Sequence, residues 1–250
     1  MSSMAISLIV FACVFGGAVF GMCLRSALPH DHLSAESRAV VKLGMGLVAT
    51  MSALVLGLLI SSAKSSYDTQ SAELTEMSAK IVVLDHVLAH YGPETKETRD
   101  LLRVSVISIL ERIWPHERTQ TSQVEPLAGG EDVYDKVQAL VPKDEKQRSL
   151  QAQALSMLMG LGQTRWLMYE QGATAVSKPL LVVLVFWLTV IFFSFGLYAR
   201  PNATVATALF ASGLSVSAAI FLILEMYSPY RGLIRISSAP LRAALVHLGQ

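Results

Sequence analysis

Charge is what this sequence has least of. Asp, Glu, Lys and Arg make up 16% of its 250 residues, against roughly 25% in an average soluble domain. A soluble chain of this size could not cover its surface with so few charged groups, so the composition favours a membrane protein. The formal net charge of +1 argues against a basic nucleic-acid-binding protein, and we predict no nucleic-acid partner.

Cysteines and catalytic motifs are also scarce. The two cysteines, Cys13 and Cys23, both lie in the first apolar run, so they cannot cross-link an extramembrane domain. The sequence contains no HExxH, CxxC, P-loop or GxSxG pattern. His86 and His90 are spaced for metal binding on a helix, but they lie off the apolar stripe and are interpreted as solvent-facing. We therefore predict no enzymatic activity, no metal site and no cofactor.

Four uncharged apolar runs occupy residues 4–24, 43–63, 179–199 and 203–224. Each is close to the ~20 residues that a helix needs to cross the hydrocarbon core. Because lipid offers no hydrogen-bond partner to the backbone, each run should be helical. The fold class predicted is an all-α integral membrane protein with four transmembrane helices.

Charged residues are concentrated between the second and third runs. Residues 64–178 hold 13 of the 20 basic and 16 of the 19 acidic residues. We therefore predict four parts: a first transmembrane hairpin at 1–63, a helical extramembrane insert at 64–178, a second transmembrane hairpin at 179–225, and an interfacial amphipathic segment at 226–250.

The insert shows helical periodicity throughout. One stripe has the heptad spacing of a packed helix, and it consists of Leu74, Met77, Ile81, Leu84, Leu88 and Tyr91. Gly92 and Pro93 should end that helix. Further helices are predicted at 94–114, 131–140 and 142–170. We expect an antiparallel helical stalk between transmembrane helices two and three, whose stripe packs within one subunit or serves subunit assembly.

Transmembrane helix two carries small residues at four-residue spacing, namely Ala49, Ala53, Gly57 and Ser61. Such rows let helix backbones approach closely in lipid. This row packs within one subunit, lies in a subunit interface or lines a narrow pore. A pore in this uncharged helix would need a hydrophobic constriction. The apolar candidates are Met51, Leu54 and Leu58, with Leu58 as the first choice, and Lys64 would supply charge at the pore mouth.

Ionisable residues follow the fourth run. Glu225 is the one acidic residue adjoining a membrane span, and it either pairs with Arg231 and Arg235 or faces the headgroups. Beyond it, a short amphipathic helix is predicted to lie in the membrane interface, with an apolar face of Leu241, Leu245 and Leu248.

Several motifs together resemble one known family. They are Gly16-Gly17 with Leu24-Arg25 and Leu28-Pro29, residues 56–64 at the end of helix two, Leu84-Asp85, Tyr91-Gly92-Pro93-Glu94 with Arg99, and residues 221–225 with 228–232. This set resembles the bacterial bestrophin-like membrane-protein family, which is defined by a domain of unknown function. At the level of topology, that family is similar to the bestrophins, which are pentameric anion channels.

The resemblance implies a four-helix membrane part, a large helical intracellular part between helices two and three, a pore along helix two and a pentamer. One feature departs from the bestrophin pattern. Bestrophin pores have an aromatic-lined constriction on helix two, whereas residues 43–63 contain no Phe, Tyr or Trp.

Two functions remain open from the sequence. The first is a homo-oligomeric channel for small inorganic ions, chiefly anions, with helix two lining the pore. The second is a non-conducting membrane scaffold or assembly protein whose helical stalk binds a partner. In both cases the chain is expected in the bacterial inner membrane, in contact with the lipid bilayer.

The flanking charges predict the membrane topology. Seven basic residues flank the insert side of the membrane and four flank the other side, so both termini and the insert should be cytoplasmic. In a variant lacking Cys13 and Cys23, a Thr121→Cys thiol should resist a membrane-impermeant reagent in intact cells. A His32→Cys thiol in the opposite loop should react. The reverse labelling pattern would invert this orientation.

Overall fold

The computed structural model describes residues 2–27, 35–114, 130–173, 178–199, 202–230 and 232–249. Within these residues the chain is helical and has no strand, which confirms the all-α prediction. The helices are α1 (Ser3–Ala27), α2 (Ala35–Tyr91), α3 (Lys96–Ile113), α4 (Gly130–Gln138), α5 (Glu145–Ala173), α6 (Lys178–Tyr198), α7 (Ala203–Met226) and α8 (Ala239–His247).

Four of these helices are long and apolar enough to cross a membrane, namely α1, α2, α6 and α7. They contain the four apolar runs except for Ala199, so the predicted four-helix membrane protein is confirmed. The helix α2 is much longer than its apolar run, because its 57 residues continue without interruption to Tyr91. The first helix of the insert is therefore the direct continuation of the second membrane helix.

The chain divides into two compact units. The first unit contains Met1–Tyr67 and Ala175–Ile234, and the second contains Asp68–Thr174 and Arg235–Gln250. The C-terminal residues therefore belong with the insert. Residues 115–129, between the helices predicted at 94–114 and 131–140, lie outside the described residues.

In the first unit, α1 and α6 are parallel and in direct backbone contact. A Cβ atom on Gly21 would overlap the carbonyl oxygen of Phe193, and one on Gly196 would overlap that of Ala18. Glycine is thus required at both positions, because a side chain would push the helices apart. At the ends of the pair, the Arg25 guanidinium donates hydrogen bonds to the carbonyls of Tyr198 and Ala199 at 2.9 Å.

The helix α7 packs antiparallel to α1. The Ser217 hydroxyl donates a hydrogen bond to the carbonyl of Ser7, and the ring of Phe210 meets those of Phe11 and Phe15 edge to face. The start of α7 is capped by Asn202, whose side chain accepts the N–H of Val205 at 2.7 Å.

In the second unit, the predicted stripe on α2 forms the interior. All six of its residues are at most 5% exposed, so the stripe packs within one chain. As expected, Gly92 follows the end of α2 at Tyr91, and its φ of 140° and ψ of 178° are accessible mainly to glycine. The Thr95 hydroxyl donates to the carbonyls of Leu88 and Gly92 at 2.6 and 2.8 Å, which satisfies groups that the helix end leaves unpaired.

The helix boundaries in the insert differ from the predicted ones by a few residues. A single 3-10 turn, Pro93–Thr95, precedes α3. The helix α5 begins at Glu145 rather than near Pro142, because the Asp144 carboxylate accepts the N–H of Gln147 at 2.7 Å and so caps the helix.

The C-terminal segment is placed differently from the expectation. The amphipathic pattern predicts an apolar face in the membrane interface, but Leu241 and Leu248 are buried in the second unit, where α8 packs against α3. The Trp114 indole N–H also donates to the carbonyl of Ile236 at 3.0 Å. The reason is that α3 offers an apolar partner surface, which a sequence pattern for amphipathicity cannot distinguish from lipid.

The glycine contacts generate a stability prediction. Gly21→Ala or Gly196→Ala should destabilise the membrane part by about 1–3 kcal/mol, because each forces the backbones of α1 and α6 apart. Denaturation in detergent micelles measures the change. Gly16→Ala is the matched control, since a Cβ there meets no atom within 4 Å. If all three variants unfolded alike, backbone contact would not be what holds these helices together.

Candidate functional site: the open face of α2

The membrane-spanning part of α2 is packed on one side and open on the other. Its packed face includes Ser52, Leu59 and Ala63, each at most 3% exposed. Only 11% of its most apolar part is buried, against 28–33% for the corresponding parts of the other three membrane helices. Of the four spans, α2 is therefore the one that the described residues of this chain cover least.

The row of small residues turns from the packed face to the open face. Residues four apart on an α-helix differ by about 40° around its axis. Ala49 is accordingly half-buried against the first unit's core, whereas Ala53, Gly57 and Ser61 are exposed. A Cβ on Gly57 would meet no atom within 4 Å. Three of the four residues are therefore not used for packing among the described residues of this chain.

The three apolar residues predicted to form a pore constriction are all exposed, but to different degrees. Leu54 is 74% exposed, Leu58 62% and Met51 43%. Helical geometry explains this order, because Leu54 lies within about 20° of the direction opposite the packed face, whereas Leu58 lies about 60° from it. The structure therefore favours Leu54 over Leu58 as the residue at the centre of the open face.

Lys64 follows directly on this face and is exposed. Its ammonium nitrogen lies 5.8 Å from the centroid of the Tyr67 ring, a distance at which the ring attracts the cation. The side chain thus places a positive charge at the end of the predicted span of α2.

Glu225 is buried although it adjoins the membrane, with 5% of the residue exposed. Its carboxylate accepts the main-chain N–H of Leu233 at 2.5 Å. Gly232 lies against it with φ of 103°, and a Cβ there would overlap the carboxylate. Of the predicted ion-pair partners, Arg231 lies outside the described residues, and the pairing with Arg235 stays a prediction.

Beyond the membrane span, α2 carries a buried charge whose role the sequence pattern does not predict. The Asp85 carboxylate is fully buried and accepts two hydrogen bonds from Arg99, at 2.8 and 2.7 Å. It also accepts the N–H of Gly249 at 3.2 Å. Asp85 thus joins α2 to α3 and to the C-terminal segment. The one hint of this burial in the sequence is that Asp85 directly follows Leu84, a residue of the apolar stripe.

The protonation of Asp85 is set by opposing effects. Burial raises the pKa of its carboxyl, but the hydrogen bonds from Arg99 and Gly249 and the charge of Arg99 outweigh burial, and the pKa lies below its ordinary value. Among the described residues no group of three or more metal-ligating side chains comes together, and His86 and His90 are exposed, as interpreted from the sequence.

The lowered pKa of Asp85 predicts a pH dependence. A carboxylate with a depressed folded-state pKa stabilises the fold above its unfolded-state value, about 3.9, and that stability is lost as the pH falls through the folded-state pKa. Asp85→Asn should therefore lower the free energy of unfolding by about 3 kcal/mol at neutral pH, and the difference from wild type should shrink below about pH 4.

Chemical denaturation of the purified protein at several pH values measures this difference. Glu76→Gln is the control, because Glu76 pairs with Lys80 on the exposed surface at 2.8 Å and should contribute little. A difference that stayed constant from pH 7 to pH 3 would contradict the assigned role of the Asp85 carboxylate.

Comparison with known proteins gives one match. The family model of the Bestrophin-like domain matches residues 12–241, a range that includes most of α1, all of the insert, and α6 and α7. No curated protein and no solved structure matches the chain. The matched range contains all the motifs that carry the resemblance, among them Asp85, Arg99, Glu225 and Gly232. The chain therefore belongs to the family defined by the Bestrophin-like domain.

Proposed function

We propose that the protein is an oligomeric channel for small anions in which the open face of α2 lines the pore. The observation that carries this proposal is that α2, an uncharged membrane span, has one face that the described remainder of its own chain leaves uncovered. Packing such faces around an axis would let several subunits enclose a path through the membrane. The membership of the Bestrophin-like family supports a channel, and the family analogy supports a pentamer.

The open face has the composition of a narrow pore with a hydrophobic constriction. Gly57 and Ser61 leave space beside the helix, whereas Leu54, which is 74% exposed, presents a large apolar side chain about 20° from the direction opposite the packed face. A narrow ring of leucines from several subunits would exclude water, and widening of the ring would admit it. Such a ring can therefore act as a gate. We propose Leu54 as this constriction, in place of Leu58.

The proposed preference for anions rests on Lys64. One exposed lysine per subunit at the end of the span would form a ring of positive charge at the pore mouth. Such a ring raises the local anion concentration and lowers that of cations. The protein is further proposed to be a non-enzymatic inner-membrane protein with cytoplasmic termini and insert.

A scaffold is the second candidate, and one observation favours it. Met159, Trp166 and Leu167 on α5 are 59%, 66% and 44% exposed, although the insert lies outside the predicted membrane spans. Exposed apolar side chains in one helix are a common feature of surfaces that bind another protein. In this alternative, the open face of α2 would contact lipid or another subunit and enclose no conducting path.

Conduction through purified protein in planar bilayers tests the channel. Leu54→Ala removes three carbon atoms from the proposed constriction and should raise the current about tenfold, because wetting becomes easier. Leu58→Ala should raise it less. Leu8→Ala is the control, since Leu8 is 69% exposed on α1, outside the proposed pore. Native mass spectrometry should report the same subunit number for all variants.

Selectivity provides the second measurement in the same preparation. Lys64→Glu should shift the reversal potential under a salt gradient towards that expected for cations, because the ring at the mouth changes sign. An intact oligomer that never conducts, either as wild type or as Leu54→Ala, would instead favour the scaffold.

A further inference from the structure

The Lys64 end of the α2 span is held by two kinds of contact within the first unit. Leu59 and Ala63 are buried in a cluster that also contains Leu224 of α7. Between them on the helix, Ser62 accepts a hydrogen bond from the Tyr227 hydroxyl at 2.9 Å. Apolar contacts resist separation but tolerate rotation and sliding, whereas a hydrogen bond is directional. The contact with Tyr227 therefore restricts the rotation of α2 about its own axis.

Tyr227 is itself positioned by the turn that follows α7. Its N–H donates to the carbonyl of Ile223 at 3.2 Å, which closes the last turn of the helix. Two residues earlier, the buried Glu225 accepts the N–H of Leu233, so the chain folds back onto the end of α7. Gly232 permits this fold, since its positive φ and the nearby carboxylate leave no room for a side chain.

We propose that Tyr227 is a positioning residue for the pore helix. Together with Ser62 it forms a hydrogen-bond latch that sets the rotation of α2, while the turn at Glu225 and Gly232 holds Tyr227 in place. This inference rests on the proposed pore along α2 and names how the site is regulated. A rotation of α2 would carry Leu54 away from the open direction, because each residue's direction is fixed to the helix. The latch therefore controls whether the constriction is aligned.

The latch predicts a specific pattern of gating. Tyr227→Phe and Ser62→Ala each remove the hydrogen bond, so both should change the ratio of open to closed time in the same direction, by about 2- to 10-fold. The double variant should show no larger change than either single variant. Single-channel conductance and ion selectivity should stay as in the wild type, because neither side chain belongs to the proposed constriction or to the charged mouth.

Two controls separate the latch from a general effect of the substitutions. Tyr198→Phe removes a tyrosine hydroxyl at the end of α6, and Ser215→Ala removes a serine hydroxyl on the exposed side of α7, which bonds to its own backbone at Ala211. Both should leave gating unchanged. Additive effects of Tyr227→Phe and Ser62→Ala, or an effect of only one of them, would overturn the latch.

A second measurement does not depend on conduction. Backbone hydrogen exchange in residues 59–66 should become faster by a similar factor in Tyr227→Phe, Ser62→Ala and the double variant, because α2 is less restrained there. Gly232→Ala, which disturbs the Glu225 turn, should have the same effect. If the wild-type protein does not conduct but the variants show this exchange pattern, the proposed pore is wrong and the latch is a structural contact. Unchanged exchange in all the variants would overturn the latch.

Discussion

The backbone contact between α1 and α6 is the interaction on which the arrangement of the membrane helices depends. In lipid, the hydrophobic effect does not drive helices together, so association rests on close packing and weak hydrogen bonds. Gly21 and Gly196 allow that packing because each faces a carbonyl oxygen of the partner helix. With α7 packed along α1, these helices form a tight core, and in the described part of the chain α2 packs against it through the face that contains Leu59 and Ala63.

The second unit is organised around a buried charge. A carboxylate in a protein interior is costly unless it is paired and hydrogen-bonded, and Asp85 meets both conditions through Arg99 and Gly249. These partners come from α3 and from the C-terminal segment, which are far apart in sequence. The apolar stripe beside Asp85 supplies the burial, while the ion pair specifies which groups must meet. The C-terminal segment accordingly completes the interior of the insert.

Several features of the fold could be predicted because they depend on local patterns. The four apolar runs, the heptad stripe that begins at Leu74 and the break at Gly92-Pro93 all follow from residue type and short spacing. Other features could not be predicted in this way. The spacing of Gly17 and Gly21 was visible, but the row on α2 was equally visible, and spacing alone does not show which row meets a partner helix. Likewise, the apolar face of α8 suits both a membrane interface and a protein interior.

The sequence by itself determined the class of the protein, the number of membrane helices, the helical nature of the insert and its family, because hydropathy, helical period and motifs are properties of neighbouring residues. Only the tertiary structure decided that Leu54, more than Leu58, points away from the packed face, that Tyr227 bonds to Ser62, and that Asp85 pairs with Arg99. These outcomes depend on the rotation of one helix against another, which is set by packing and hydrogen bonds between segments that are distant in sequence.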